Sequence, residues 1–179
     1  VRITGNMLLS LASKLSSGYW NIFDPTNGFT AIHAKIAAQL PLDRISKGFF
    51  FESDMLFQLG MMRAVVRDVP MKARYGNETS SISISKIIPE FMFKHFVNMN
   101  RRIFHSYFVR DFNFVSIQLV LGNVLLLFGV VFGLYWWYDS TVTDVPATAG
   151  TVLLAALPII LASQFLINFL NYDSQNFPK

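Results

Sequence analysis

Two stretches of this chain carry no charge, and they decide what the rest of it can be. Residues 112–138 and again 145–172 contain no Asp, Glu, Lys or Arg. Each run exceeds the roughly 20 residues that a helix needs to cross a bilayer. Only DSTVTD, residues 139–144, joins them, so the spacing predicts two transmembrane helices in a tight hairpin. Lys86, Lys94, Arg101, Arg102 and Arg110 precede the first run and Lys179 follows the second, whereas the joining loop has two Asp and no cation. Cytoplasmic flanks hold Lys and Arg, so both termini are expected in the cytoplasm, with Trp136, Trp137 and Tyr138 at the outer interface. Gly129 and Gly133, with Gly122 a heptad back, predict close helix packing, within the hairpin or between protomers. Pro158 is expected to kink the second span, and Asn123, Gln164 and Asn168 to seek partners across helices. With no ionisable group in either span, a proton or ion pathway is disfavoured.

The stretch before the first span, 86–111, reads as a basic amphipathic helical region lying on the membrane. Ile88, Met92, Phe96, Met99, Ile103 and Tyr107 recur at steps of three or four, opposite Lys94, Asn98, Arg101 and His105. The net charge of +4 hides an asymmetry. Residues 1–111 hold 14 Lys and Arg against 8 Asp and Glu, and the remainder one Lys against three Asp. Positive charge beside a membrane points to anionic lipid or phosphorylated substrates and away from nucleic acid. The absence of Cys excludes disulfides, thiolate metal sites and a Cys nucleophile.

Residues 1–85 predict a small α/β unit. Residues 3–17 place Ile3, Met7, Leu8, Leu11 and Leu15 on one helical face, with Gly18 as the stop. An aromatic turn follows at 19–29, then a short helix near 31–39, a brief apolar strand at 49–51 and a helix over 52–62. The β-branched run 64–73 reads as an edge strand containing Pro70, and 76–85 as a polar loop. Two short strands make no sheet alone, so they are expected to complete one whose other strands lie elsewhere.

Three groups of residues could carry chemistry. Asn27, Gly28 and Phe29 sit in the turn DPTNGF, which either shapes a polar substrate site or is an ordinary Asp-Pro turn. Glu52 and Asp54 stand at a helix start, where a carboxylate accepts backbone N–H bonds or serves as an acid or base. Spacing does not choose between the two. Arg74 and Lys86 bracket a loop containing Ser80, an arrangement that suits a phosphate or a plain solvated loop.

Taken in order, WNIFDPTNGFTAI, KGFFFESDMLFQL, VRDVPMKARYGNETSSISISK, a basic amphipathic stretch and a two-helix hairpin resemble the C-terminal half of membrane-bound family 2 glycosyltransferases. These GT-A enzymes are similar to polyprenyl-phosphate glycosyltransferases and dolichyl-phosphate mannose synthases. The resemblance covers essentially the whole chain and implies transfer of a sugar from a nucleotide sugar to a polyprenyl phosphate at the cytoplasmic face. A bacterial inner membrane is the expected setting, and a homo-oligomer through the hairpin an expected assembly. It also implies roles for Asn27, Gly28 and Phe29 at the donor and acceptor sites, for Asp54 or Glu52 beside the reacting centre, and for Arg74, Ser80 and Lys86 on the phosphate. A divalent metal, Mg or Mn, is implied for the complete enzyme, but its D-x-D ligands are absent from this sequence. The expectation is therefore the C-terminal part of a longer enzyme, inactive alone. The alternative is a non-enzymatic two-span protein whose cytoplasmic domain docks a partner.

Overall fold

The computed structural model describes residues 2–25, 28–70 and 84–179, with the side chains of 2–6 and 84–87 outside that description. It divides into two compact units, Val1–Val109 with Ser174–Lys179, and Arg110–Asp173.

The first unit is built on three helices: α1 (Arg2–Ser17), α3 (Phe51–Met61) and α4 (Ile84–Phe104), with a single turn, α2 (Ala34–Ala37), between the first two. Helix α1 stops where the sequence predicts, at Gly18, whose φ of +82° suits a residue without a Cβ. Helix α3 stops differently. Arg63 takes the left-handed conformation at φ +54°, its N–H bonds to the carbonyl of Gly60, and that of Ala64 bonds to Leu59. This paired closure turns the chain out of the helix and brings Ala64 back onto the core. That core gathers Tyr19, Ile22, Leu40, Ile45, Met55, Leu56 and Leu59.

The α/β reading of this region is overturned. Among the described residues there is no strand. Residues 49–51 are not a strand: Phe51 begins α3, and Phe50, 2 % exposed, packs edge-on against Phe91 and His95 of α4. Residues 64–70 lie outside any strand or helix and run alongside 19–23 in a fixed register, and 71–73 lie outside the described residues. The Tyr19 hydroxyl donates to the carbonyl of Ala64, the Asn21 amide to that of Val66, and Asp68 accepts from the N–H of Phe23. Every second residue of one segment thus meets every second residue of the other through side chains. The β-branched run that suggested an edge strand does pair with a neighbouring segment, but the backbone ladder that defines a strand is not present among the described residues.

The second unit is an antiparallel hairpin of α5 (Phe114–Thr143) and α6 (Ala149–Gln175). Asn113 starts α5 with a reciprocal cap, accepting from the N–H groups of Val115 and Ser116 while the Ser116 hydroxyl accepts from its own. The helix runs on past 138 to Thr143, where Asp144 closes it at φ +57°, and α6 passes through Pro158 without a break.

The heptad glycines are spent inside this hairpin. A Cβ on Gly129 would sit 2.6 Å from Ile159 Cγ1 and 2.9 Å from the Ala155 carbonyl oxygen, and one on Gly122 3.1 Å from Leu166. Asn168 donates to Gln118 across the helices at 2.7 Å, whereas Asn123 bonds back to Leu119 of its own helix. Both helices are long and apolar enough to cross a membrane, with mean hydropathy of 2.3 and 2.1 over their most apolar stretches. Only 28 % and 11 % of those stretches are buried within the chain. A core helix of a soluble protein is mostly covered by its own fold, so these surfaces associate the chain with a membrane.

Candidate functional site

An open cleft of roughly 1090 Å³ lies in the first unit. Ile22, Met55, Leu56 and Leu59 form an apolar floor continuous with the core. One wall comes from the aromatic turn, including Gly28 and Phe29, and another from the extended segment, including Arg67 and Asp68. Helix α3 contributes Glu52.

Successive helical residues are about 100° apart, so positions 52 and 54 point about 200° from one another. Helix α3 uses that angle to give its two carboxylates separate environments. Glu52 is half-buried at the cleft, and its Oε1 lies 3.7 Å from where a Cβ on Gly28 would be. Phe29, beside Gly28, is 85 % exposed. Asp54, 6 % exposed, turns into the interior. Its Oδ1 accepts from the Asn98 amide at 2.9 Å and its Oδ2 from the N–H of Ser46 at 2.8 Å. The structure therefore brings Gly28, Phe29 and Glu52 together and leaves Asp54 out. Asn27, Arg74 and Ser80 lie outside the described residues; Lys86 falls in the first turns of α4, its side chain likewise outside. Arg67, not singled out in the sequence, lines the cleft; its signal was its place in VRDVP, just before the run holding Arg74.

Asp54 belongs instead to a polar interior shared by α1, α3 and α4. His95 Nδ1 lies 2.8 Å from Ser16 Oγ, and Ser16 in turn donates to the carbonyl of Ser13 at 3.1 Å. Arg102 donates through Nε and Nη2 to the Leu15 carbonyl at 3.1 and 2.8 Å, placing a cation at the C-terminal end of α1. Burial holds the His95 pKa at about 4, below its usual 6.5, against an opposing pull from Asp54. Burial likewise raises the Tyr19 phenol, despite nearby Arg63, so it stays protonated to donate to Ala64.

The His95 shift sets an expected pH dependence. Between about 4 and 6.5 the unfolded chain binds a proton that the folded one refuses, so stability is intact above 6.5 and falls as pH drops toward 4. The loss approaches about 3 kcal/mol as an upper bound. Thermal unfolding of the detergent-solubilised chain at pH 7.5 and 4.5 reads it, and His95→Gln should flatten the difference. An unchanged slope in His95→Gln would assign the acid sensitivity to other groups.

No family model, curated protein or solved structure matches this chain.

A carboxylate at the rim of an apolar-floored cleft accepts hydrogen bonds from hydroxyl groups, and a guanidinium on the same cleft offers paired donors to an anion. The apolar floor suits a hydrophobic segment of the same ligand. Among the described residues no group of three or more His, Cys, Asp or Glu side chains could hold a metal. The divalent ion implied by the resemblance has no ligand set among them.

Proposed function

We propose that this chain is the membrane-anchored part of a glycosyltransferase that moves a sugar from a nucleotide sugar to a polyprenyl phosphate. The observation that carries the reading is the cleft in which Glu52 meets the Gly28–Phe29 turn over an apolar floor, in a chain with two helices long enough to cross a bilayer. A polyprenyl phosphate is an amphiphile with one ionised head. An apolar floor with Glu52 and Arg67 at its edges offers each part of a sugar-bearing amphiphile a suitable surface. The proposal also places both termini on the cytoplasmic side of a bacterial inner membrane, as the Lys and Arg flanking the spans support.

The division of labour follows from the acceptor. A phosphate monoester, with a second pKa of about 6, is already mostly ionised near neutrality, so it needs orientation and charge compensation more than a base. Glu52 then orients sugar hydroxyls, while cations such as Arg74 and Lys86 hold the phosphate. The test is transfer of labelled sugar into organic-extractable lipid, using the full-length protein in membranes supplied with nucleotide sugars and polyprenyl phosphate. Labelled lipid dependent on added polyprenyl phosphate supports the proposal. Absence of transfer and of nucleotide-sugar binding across the common donors would leave a two-span protein that docks a partner.

A further inference from the structure

His33 stands on the cleft that also carries Glu52 and Arg67, at the head of the single turn α2. Hydrogen bonds to its own helix fix it there. Its carbonyl accepts from the N–H groups of Ile36 and Ala37 at 2.9 and 3.0 Å, and its ring Nδ1 accepts from that of Lys35 at 3.2 Å. Ile36 packs against the apolar core, which anchors the turn. A backbone N–H can only donate, so Nδ1 is the bare nitrogen and Nε2 carries the hydrogen of the neutral ring. That hydrogen meets no partner among the described residues. Capping alone does not call for an imidazole: Ser, Thr, Asp and Asn are preferred before a helix, and each would satisfy the Lys35 N–H with a smaller side chain. What His33 adds is a donor on the far side of its ring from the cap.

We propose that His33 binds the ligand of this cleft, its Nε2–H donating to a phosphoryl oxygen whose charge Arg67 offsets. Glu52 and His33 make opposite demands on that ligand. An ionised carboxylate only accepts, so Glu52 takes hydroxyl groups, whereas Nε2–H only donates and takes an oxygen that accepts without donating. An ionised phosphate offers such oxygens, and Arg67 places a guanidinium on the same cleft. The choice of phosphate rests on the sugar-transfer reading, while the donor rests on the geometry of His33 alone. A lipid phosphate and the diphosphate of a nucleotide share this chemistry, so the two are probed separately.

The full chain is prepared in detergent with ¹⁵N-labelled histidine, as the parent and as His33→Asn and His33→Gln. Asn keeps an oxygen where Nδ1 stands, so it caps α2 but lacks the outer donor, whereas the longer Gln amide carries an N–H to the place of Nε2 and gives up the cap. Geranyl phosphate and UDP are titrated into each. In the parent, the His33 ring signals, assigned by their absence from His33→Asn, should show a protonated Nε2 that shifts on addition of probe. His33→Asn should weaken binding about 10-fold with its unfolding midpoint unchanged, and His33→Gln should bind within about 3-fold of the parent. Weakening confined to geranyl phosphate assigns the bond to the lipid acceptor, weakening confined to UDP assigns it to the nucleotide, and weakening toward both assigns it to the group they share; each upholds the inference. Equal binding by His33→Asn and the parent would overturn it. So would equal loss in both variants, which marks a structural role, or failure of the parent to bind either probe. Because binding is read without turnover, the two proposals fail separately. A chain that binds with this ranking but transfers no sugar loses only the sugar-transfer reading, and a full-length protein that transfers sugar equally well as His33→Asn loses only this inference.

Discussion

Glu52→Gln should lower sugar transfer by the complete protein about 10- to 100-fold while leaving thermal unfolding unchanged, and Asp54→Asn should do the converse. The two residues are neighbours in sequence and alike in chemistry, so only position separates them. Glu52 faces the cleft and borders Gly28. Replacing its carboxylate with an amide removes charge-assisted hydrogen bonds to substrate, each contributing about 1.5–3 kcal/mol, which gives that range of rate. Asp54 is enclosed, and both its oxygens accept from fixed donors, Asn98 and Ser46. An amide there turns an NH₂ toward one of those donors and leaves buried groups unsatisfied, costing about 2–4 kcal/mol of stability. Activity per folded molecule should survive in Asp54→Asn. Parallel measurement of initial transfer rates and unfolding midpoints reads both effects. Transfer lost in Asp54→Asn with its midpoint unchanged would put the reacting centre in the α1–α3–α4 interior and sink this assignment. A loss above about 10³-fold in Glu52→Gln would instead mark a general base, and with it a hydroxyl acceptor rather than a phosphate.

The sequence is most legible where one medium acts on a whole segment. Two uncharged runs become two apolar helices because a bilayer-length pattern needs no knowledge of partners. Helix α1 and its stop at Gly18 follow from local rules too, as does α3. Legibility fails where the outcome depends on what a residue meets. The run from Ala64 is β-branched enough for a strand, but Tyr19, Asn21 and Asp68 engage its pairing through side chains. Asn98 sits at a position that the helical wheel assigns to the solvated face, because the usual order of apolar inside and polar outside does not hold for α4. The glycine heptad was compatible with either hairpin or protomer packing, and only the contacts with Ile159 and Leu166 choose the hairpin. For Glu52 and Asp54, the missing information was where α3 begins and how it is rotated. Arg67 was hidden by its proximity to Arg74 and Lys86, which the phosphate-loop pattern made more conspicuous.

Gly60 is a residue that sequence rules undervalue, and Gly60→Ala should be the most destabilising small substitution in the first unit. Within a helix, Ala is normally the better residue by about 1 kcal/mol, so propensity alone expects a gain. The structure reverses the sign. Gly60 lies against the end of α1, and a Cβ there would collide with the carbonyl oxygen of Ser17. The obstacle is backbone, which cannot rotate aside as a side chain can. Relief requires α3 to shift from α1, which disturbs the packing of Tyr19 against Leu56 and Leu59. Overpacking of this kind costs about 1–3 kcal/mol, occasionally more, and the upper part of that range applies because no side chain can yield. Gly48→Ala supplies the contrast: its φ of +92° makes a side chain strained, yet nothing lies within 4 Å of the new Cβ. Its cost is therefore the backbone term alone, about 1–2 kcal/mol. Unfolding midpoints of the two variants in the full detergent-solubilised chain should rank Gly60→Ala well below Gly48→Ala. Equal midpoints, or a stabilised Gly60→Ala, would show that α3 and α1 do not approach as closely as described, and would loosen the α1 contact that helps orient α3, with Glu52 toward the cleft and Asp54 away from it.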